Sequence, residues 1–437
     1  MSKRPKTLVA AALALVLALS SIQAFGASLN ENDALVTTDE SQPVQAAITK
    51  ILRMPVGTTT PDATFNFTAT PISIDEDTDE DVVADMPALN ADSLTVSFTA
   101  ADVAQGASGD NTLSAIQQTG DIFDGVTFPY AGIYEYEIRE TALTNSAIDS
   151  NTGNEILTYS TALYTLTVYV ANLSDGSGTY VMAVGTKVTT PDNSDQDEGD
   201  KVDPTPGGDN NNYYYSQMIF TNDYVKINGP VDPENPDPAN ESTLNISKTV
   251  TGDFGSLSQL FDFTLTLEAP SLLEDVPPYY RAYVVENGAA IDPSGNAADA
   301  LVNTGATPGY IRITPGQPTN FMLTHGQQLV LVDTPVGTSY EVAESAATHY
   351  IPSVLVTTNS EAGAVVTGSI SSPLTTGSQL IGELTNSAAF TNNRDSVTPT
   401  GLNLNDLPFI GLITLAAGAL VIFVVVKSRR RKAAVTA

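Results

Sequence analysis

The chain lacks cysteine and tryptophan, and it has only two histidines among its 437 residues. Without cysteine it can form no disulfide, no thiolate nucleophile and no cysteine-ligated metal site, so its stability depends on other bonds. His325 and His349 are too few for a histidine-rich metal site, and the sequence pairs neither with a serine nucleophile. No constellation for catalytic turnover remains, so an exported enzyme is disfavoured.

Positive charge is scarce between the two ends of the chain. The basic residues there are five lysines (Lys50, Lys187, Lys201, Lys226, Lys248) and five arginines (Arg53, Arg139, Arg281, Arg312, Arg394). The whole chain has 50 acidic residues and a net charge of −32. Nucleic acid needs basic patches, so it is not an expected partner, and the acid excess is typical of a soluble surface protein.

Two acidic runs, 75–81 and 195–200, have carboxylates near the spacing of a calcium loop. The first lacks the glycine that such a loop needs at its sixth position, and the second is similarly irregular. Solvated acidic loops are the simpler interpretation of both. The sequence therefore predicts no metal site and no cofactor.

The two ends of the chain indicate export and anchoring. Residues 1–26 combine a basic start, an apolar stretch and small residues, which is typical of a secretory signal peptide cleaved after Gly26. Residues 407–426 are twenty residues without a charge, long enough to span a bilayer. The basic segment 427–432, KSRRRK, would keep that end in the cytoplasm.

Short stretches of alternating apolar and polar residues recur between the ends, separated by Gly, Pro, Asn and Asp. They are ATFNFTATPI, GIYEYEIRE, ALYTLTVYVAN, DFTLTLEA, QQLVLVD and TSYEVAE. Each predicts a strand, and no long amphipathic helix appears, so we expect an all-β chain of sandwich type.

A segment rich in Pro, Asp and Asn, 227–242, predicts a semi-rigid linker. It divides a first domain, 28–226, from a second domain, 243–393. The polar insertions 74–85 and 189–212 in the first domain are expected to be mobile loops.

Each domain repeats one order of three inward-facing polar residues. Its first strand has a lysine in an apolar row, a middle strand has a glutamate, and the last strand has the asparagine of Phe-Thr-Asn. The residues are Lys50, Glu140 and Asn222 in the first domain, and Lys248, Glu344 and Asn392 in the second.

Burial would make these three side chains reactive. Desolvation lowers the pKa of a lysine and raises that of a glutamic acid, so both can be neutral at pH 7. The neutral amine can attack the asparagine carboxamide while the glutamic acid transfers protons, which gives an isopeptide bond and ammonia. The alternative is a buried Lys–Glu ion pair beside a hydrogen-bonding asparagine, and the repetition of the ordered triad disfavours it.

At these motifs the chain resembles the streptococcal-type isopeptide-linked pilins, the FctA-type major pilins. The first domain is similar through ITK, VTFPYAGIYEYEIRE, YTLTVYVAN and FTNDY, and the second through LNISKTVTG, FDFTLTL, HGQQLVLVDTPVGTSYEVAE and FTNN. The resemblance implies two tandem immunoglobulin-like domains of CnaB type. It also implies that lysine and asparagine lie on adjacent first and last strands. A bond closing a loop of about 150–170 residues would stabilise each domain by about 4–5 kcal/mol in the chain-entropy estimate.

A sorting signal precedes the apolar C-terminal run. Val397, Thr398, Pro399, Thr400 and Gly401 read VTPTG, followed by the membrane span and the basic tail. This layout is that of a Gram-positive wall-sorting signal, in which a sortase cleaves between Thr and Gly, here Thr400–Gly401. The common motif is Leu-Pro-x-Thr-Gly. The departure from it resembles the signals of FctA-type pilins, which a dedicated pilin sortase cuts.

Polymerisation needs an exposed lysine on the next subunit. With two lysines assigned to the internal bonds, Lys187, Lys201 and Lys226 remain. In the family the acceptor lies shortly before the last strand of the first domain, so we expect Lys201, in the loop ahead of Asn222, to be the acceptor. Lys187 and Lys226 are the alternatives.

We therefore expect a wall-anchored pilus backbone subunit without enzymatic turnover. Its partners would be a sortase, identical subunits, peptidoglycan and, further, ancillary pilins and the host surface. The alternative is an ancillary or base pilin, or a monomeric wall-anchored adhesin on the same scaffold.

Overall fold

The computed structural model describes residues 36–107, 111–143, 148, 154–192, 196–206, 217–229, 232, 235–395 and 407–433. The predicted signal peptide, 1–26, lies outside these residues. The strands of the first domain are β1 (Ile48–Pro55), β2 (Ala63–Ile74), β3 (Thr95–Phe98), β4 (Gln105–Ala107), β5 (Thr112–Gln118), β6 (Gly132–Thr141), β7 (Glu155–Thr158), β8 (Leu163–Asn172), β9 (Thr179–Thr190), β10 (Lys201–Val202) and β11 (Met218–Lys226).

The second domain and the helices complete the described elements. The strands are β12 (Leu244–Thr251), β13 (Phe261–Glu268), β14 (Tyr280–Glu286), β15 (Ala289–Ala290), β16 (Val302–Asn303), β17 (Tyr310–Ile313), β18 (Thr319–Leu323), β19 (Gln327–Leu331), β20 (Ser339–Glu344), β21 (Ile351–Thr358), β22 (Glu361–Ala362), β23 (Val366–Thr367), β24 (Leu374–Thr375), β25 (Gln379–Leu380) and β26 (Ser387–Asn393). The helices are α1 (Glu80–Val83) and α2 (Leu407–Ala433), with 3₁₀ turns at Ala91–Ser93 and Pro293–Gly295.

Period-two alternation produces these strands. On β6, the side chains of Tyr134, Tyr136 and Ile138 are fully buried, whereas the residues between them are more exposed. The six stretches that the sequence analysis singled out become β2, β6, β8, β13, β19 and β20. The prediction of an all-β chain is confirmed.

Two sheets enclose the core of the first domain. One has the order β4-β5-β1-β11-β7 and the other β10-β9-β8-β6-β2-β3. The first strand of the domain, β1, lies between β5 and the last strand, β11, and runs parallel to β11. The chain thus enters and leaves the domain on neighbouring strands that point the same way.

The second domain repeats this arrangement. Its larger sheet has the order β16-β17-β14-β19-β12-β26-β21-β22, with β15 and β23 at its margins. The smaller sheet has the order β18-β13-β20-β24, with β25 also paired to β20. Again the first strand, β12, is parallel to the last, β26. The described chain is thus two tandem β-sandwiches.

The two polar insertions contain more regular structure than the sequence indicates. In the first, β2 extends to Ile74, α1 follows, and the carboxylate of Asp75 accepts a 2.9 Å hydrogen bond from the Ile133 N–H. In the second, β9 extends to Thr190, and Lys201 pairs with Lys187 across β10 and β9. The expectation that Lys201 lies in a loop is therefore wrong. The adjacent Val202, only 5% exposed, anchors this short strand to the core.

The C-terminal helix α2 is the single element of the described chain that is long and apolar enough to cross a membrane, over Pro408–Lys427. Its apolar side chains are exposed, whereas those of the β-sandwiches are buried in one cluster in the first domain and two in the second. The sandwiches therefore pack without help from α2.

The two domains contact each other directly. The Lys226 amine lies 3.4 Å from the Glu383 carboxylate, and the Val336 N–H donates a 2.8 Å hydrogen bond to the Lys226 carbonyl. Gly337 has a φ of +82°, and a Cβ added there would lie 2.2 Å from the Cβ of Pro55. Because both the conformation and the space exclude a side chain, this glycine permits the close approach of the domains.

We predict that Gly337→Ala separates the domain surfaces. Amide hydrogen exchange should accelerate at Thr59 and Val336, whose N–H groups donate to Glu383 and Lys226 across the junction. Gly377→Ala is the matched control, because Gly377 also has a positive φ, +65°, but no atom lies within 4 Å of its added Cβ. Unchanged protection at Thr59 and Val336 in Gly337→Ala would contradict this account of the junction.

Candidate functional site

The structure brings the three polar residues of the first domain together. Lys50 on β1 and Asn222 on β11 come from the same sheet, and Glu140 on β6 reaches across from the other sheet. The Lys50 Nζ lies 2.8 Å from Glu140 Oε2. The Asn222 Nδ2 donates a 2.7 Å hydrogen bond to Glu140 Oε1. One carboxylate thus bridges the amine and the carboxamide.

The second domain brings together the corresponding residues. The Lys248 Nζ lies 2.5 Å from Glu344 Oε1, and the Asn392 Nδ2 donates a 2.7 Å hydrogen bond to the same oxygen. Here a single carboxylate oxygen receives both donors. The other oxygen, Oε2, is buried and has no hydrogen-bond partner within the described chain.

The register of the parallel strands sets this geometry. In the first domain Lys50 is paired with Phe220, and Asn222 is two residues further along β11 on the same face. In the second domain Lys248 is paired with Phe390, and Asn392 is again two residues further along. The repeated Phe-Thr-Asn motif therefore places the asparagine at the same diagonal offset from the lysine in both domains.

Aromatic side chains wall both sites. The rings of Phe67 and Phe220 have centroids 5.0 Å apart, and those of Phe263 and Phe390 are 5.2 Å apart. Phe67 is the cross-strand partner of the first glutamate, and Phe263 that of the second. Each phenylalanine pair thus joins the lysine-bearing sheet to the glutamate-bearing sheet and keeps water out of the site.

Burial decides the electrostatics of both lysines. The Lys50 and Lys248 side chains are 0% exposed, and each ammonium group also lies over a phenylalanine ring, 4.6 Å and 4.2 Å from the centroid. Desolvation lowers the pKa of each lysine to about 8, against the opposing attraction of its glutamate. A pKa this close to neutrality gives a substantial fraction of free amine.

Burial acts on the glutamates in the opposite sense. The side chains of Glu140 and Glu344 are 1% exposed, and desolvation raises the pKa of each, although the neighbouring lysine opposes the rise. Both partners are therefore displaced towards their neutral forms. A carboxylic acid between an amine and an amide can take a proton from one and deliver it to the other.

A polar group that the sequence pattern does not predict lies beside the first site. The Ser160 N–H donates a 2.7 Å hydrogen bond to Asn222 Oδ1, and the Asp192 carboxylate accepts hydrogen bonds from Ser160 Oγ and the Thr221 N–H. Ser160 lies between β7 and β8, and Asp192 just after β9. Neither belongs to an alternating pattern, so strand periodicity gave no signal for them.

The three candidate acceptor lysines occupy two places. Lys187 and Lys201 are exposed cross-strand partners, and the latter is on the edge strand β10. A Cβ added at Gly199 would lie 3.9 Å from Lys187 Cε, so the stem of Lys187 runs along the turn before β10. Lys226 lies at the domain junction in its ion pair with Glu383.

The predicted sorting motif Val397, Thr398, Pro399, Thr400 and Gly401 lies outside the described residues. In the chain that the structure describes, no group of three acidic or histidine side chains could hold a metal ion. His325 has a structural contact, in which its Nδ1 accepts a hydrogen bond from the Val250 N–H.

Two known families match parts of the chain. Residues 46–225 match the FctA family, described as Spy0128-like isopeptide containing domain. Residues 242–394 match a domain family of unknown function, DUF7601. A curated pilin of Streptococcus pyogenes serotype M1 is 26% identical over 340 residues, which cover 77% of this chain and 77% of that protein.

Solved structures of pilins are also similar. The major pilin from Streptococcus pyogenes is 20% identical, with 81% of this chain and 100% of that chain covered and a TM-score of 0.31. The major pilin protein T3.2 from the same species is 20% identical over the same shares, with a TM-score of 0.28. At these values the two structures carry no argument about individual residues.

Proposed function

We propose that the chain is a structural pilus subunit of the FctA type and that each of its domains closes one Lys–Asn isopeptide bond. The domains span 28–226 and 243–393, with the linker 227–242 between them. The observation that carries the proposal is the same buried triad in both domains, with the glutamate in contact with both reacting groups.

The bonds that form and break belong to groups of the triad. The neutral lysine Nζ attacks the asparagine Cγ, and the C–N bond to Nδ2 breaks. The glutamic acid passes the proton lost by Nζ to the leaving nitrogen, so that ammonia departs and the glutamate ends as it began. The protein acts on itself once and has no turnover. The desolvation cost of the charged lysine is then removed, because the product is a neutral amide.

A buried ion pair beside an asparagine would share these contacts but would leave two charges in an apolar site. Such pairs seldom repay their desolvation. A covalent amide removes both charges, and this favours crosslinking over the ion pair.

Assembly would join the C-terminal end of one subunit to an amine of the next. We assign the sortase cleavage to Thr400–Gly401, after which the Thr400 acyl group passes to an amine of the next identical subunit. The helix α2 would hold the chain in the membrane until this cleavage, and the final subunit would be transferred to peptidoglycan at the cell wall. Ancillary pilins and host surfaces are further partners of such a fibre.

Lys201 is the acceptor that the geometry favours. It lies on an exposed edge strand, where an acyl-enzyme can approach. Lys187 faces the same surface, but its stem follows a turn, and Lys226 is engaged between the domains. Lys187 and Lys201 are both exposed and Lys226 is half-buried, and the position of Lys201 on the edge strand favours it as the acceptor.

We predict that protein covering residues 27–400 has a mass about 34 Da below the sequence value, because two ammonia molecules of about 17 Da are lost. Intact mass spectrometry measures the difference. Peptide mapping should then find Lys50 joined to Asn222 and Lys248 joined to Asn392. A mass equal to the sequence value would refute the crosslinks.

We predict that Glu140→Ala and Glu344→Ala each restore about 17 Da, because the proton-transfer group is gone. Loss of one crosslink should also lower the melting temperature of that domain by roughly 10–20 °C. Glu137→Ala and Glu341→Ala are matched controls, because these glutamates lie on the same strands but outside the triads. Full crosslinking in both test variants would show that the glutamates are wrongly assigned.

We predict that Lys201→Ala abolishes the polymer in cells that carry the pilin sortase, while both internal crosslinks form normally. A blot of wall extracts boiled in SDS should lose its regular high-mass ladder, whereas Lys187→Ala should retain it. Thr400→Ala should abolish both the ladder and wall attachment.

The same blot tests the role of the subunit. A single discrete species from the unaltered chain would indicate the alternative, an ancillary pilin or monomeric adhesin. Tandem mass spectra that show Thr400 linked to Lys187 or Lys226 would support a pilus subunit but assign the acceptor to that lysine.

A further inference from the structure

The two triads differ at the carbonyl oxygen of the asparagine. In the first domain, Asn222 Oδ1 accepts the 2.7 Å hydrogen bond from the Ser160 backbone N–H. In the second domain, Asn392 Oδ1 is buried and has no hydrogen-bond partner in the part of the chain that the structure describes. In both sites the amine and the amide nitrogen contact the glutamate, through two carboxylate oxygens in the first domain and through one in the second. Among the described residues, the hydrogen bond from a backbone N–H to the asparagine carbonyl oxygen is found in the first site and not in the second.

This oxygen is where charge develops during crosslinking. When Nζ bonds to Cγ, the carbonyl π electrons move onto Oδ1, and they return when the C–N bond to Nδ2 breaks and ammonia leaves. A backbone N–H already directed at that oxygen stabilises the tetrahedral intermediate without reorganisation. Removal of one such donor slows acyl-transfer enzymes by about 10²–10³-fold.

A single carboxylate oxygen holds this donor in place. Asp192 Oδ2 accepts hydrogen bonds from Ser160 Oγ and from the Thr221 N–H, the latter at 3.0 Å. Thr221 directly precedes Asn222 on β11. Asp192 therefore ties the residue that supplies the N–H to the strand that carries the carboxamide. The Ala162 N–H also donates to Ser160 Oγ at 3.1 Å, which fixes the turn before β8.

We propose that the Ser160 N–H is an oxyanion donor for the crosslink of the first domain and that Asp192 is the positioning residue for this donor. This inference rests on the proposed function, since it concerns the rate of the isopeptide reaction. The second domain has no counterpart, so its crosslink forms more slowly. The crosslink of the first domain thus forms before the crosslink of the second.

The test measures the rate in each domain separately. Cells expressing the chain receive a short pulse of isotope-labelled lysine, and samples are denatured at intervals and digested. Mass spectrometry then gives the crosslinked fraction of the Lys50–Asn222 and Lys248–Asn392 peptides. In the unaltered chain the first peptide should be complete while the second is still partly unlinked. An equal or reversed order would overturn the sequential closure.

Variants identify the donor and its support. Asp192→Ala should slow crosslinking of the first domain about tenfold or more and leave the second domain unchanged. Asp192→Asn should restore the rate, because an amide oxygen can accept the same two hydrogen bonds. Asp223→Ala is the matched control, since Asp223 follows Asn222 but bonds to Arg53. If Asp192→Asn is as slow as Asp192→Ala, positioning by hydrogen bonds is wrong.

Replacement of the Ser160 amide by an ester, through incorporation of the α-hydroxy analogue of serine, removes only the N–H. It should slow the first domain as Asp192→Ala does. A normal rate in both of these variants would overturn the oxyanion donor while leaving the isopeptide bonds intact. If neither domain of the unaltered chain crosslinks, the proposed function itself fails.

Discussion

Parallel pairing of the first and last strand is the constraint on which each domain depends. In both sandwiches it aligns a lysine with a phenylalanine and sets the asparagine two residues further along. A shift of one residue would turn the asparagine to the other face of the sheet and away from the core. The neighbouring aromatic pairs hold the register, because their rings fit only when the two sheets are aligned. Strand register and core packing thus set the relative positions of the lysine and the asparagine.

The same packing buries a lysine and a glutamate at an energetic cost, which the proposed isopeptide bond would remove. A lysine without contact to water is an unfavourable core residue, and a glutamate beside it only partly compensates. The phenylalanine pairs that exclude water from both sites increase this cost. A fold that must bury these residues would therefore gain stability from the proposed conversion into an amide, which needs neither cysteine nor an oxidant.

Much of this was predictable from the sequence, for a definite reason. Alternation places Tyr134, Tyr136 and Ile138 on the buried face of β6, and Glu140 follows in the same phase. Periodicity thus predicts which side chains face inward, and repetition of the order in two domains indicates which belong together. It gives no information on residues outside strands. Ser160 and Asp192 meet the first site through turns. Lys201 joins an edge strand inside an acidic segment in which few of the described residues are buried, among them Gln196, Val202 and Pro204.

Because lysines are scarce, the folded subunit has few sites at which amines can be modified. Of the five lysines between residues 27 and 406, two lie in the cores, a third forms an ion pair at the domain junction, and the other two share one edge of one sheet. Reagents that acylate amines therefore find the two exposed lysines of the domain pair in a single patch, because Lys226 is only 33% exposed and is paired with Glu383. A dye or drug linked through such chemistry would be mounted at one place per subunit, so a fibre of these subunits would display it at a regular spacing along its length.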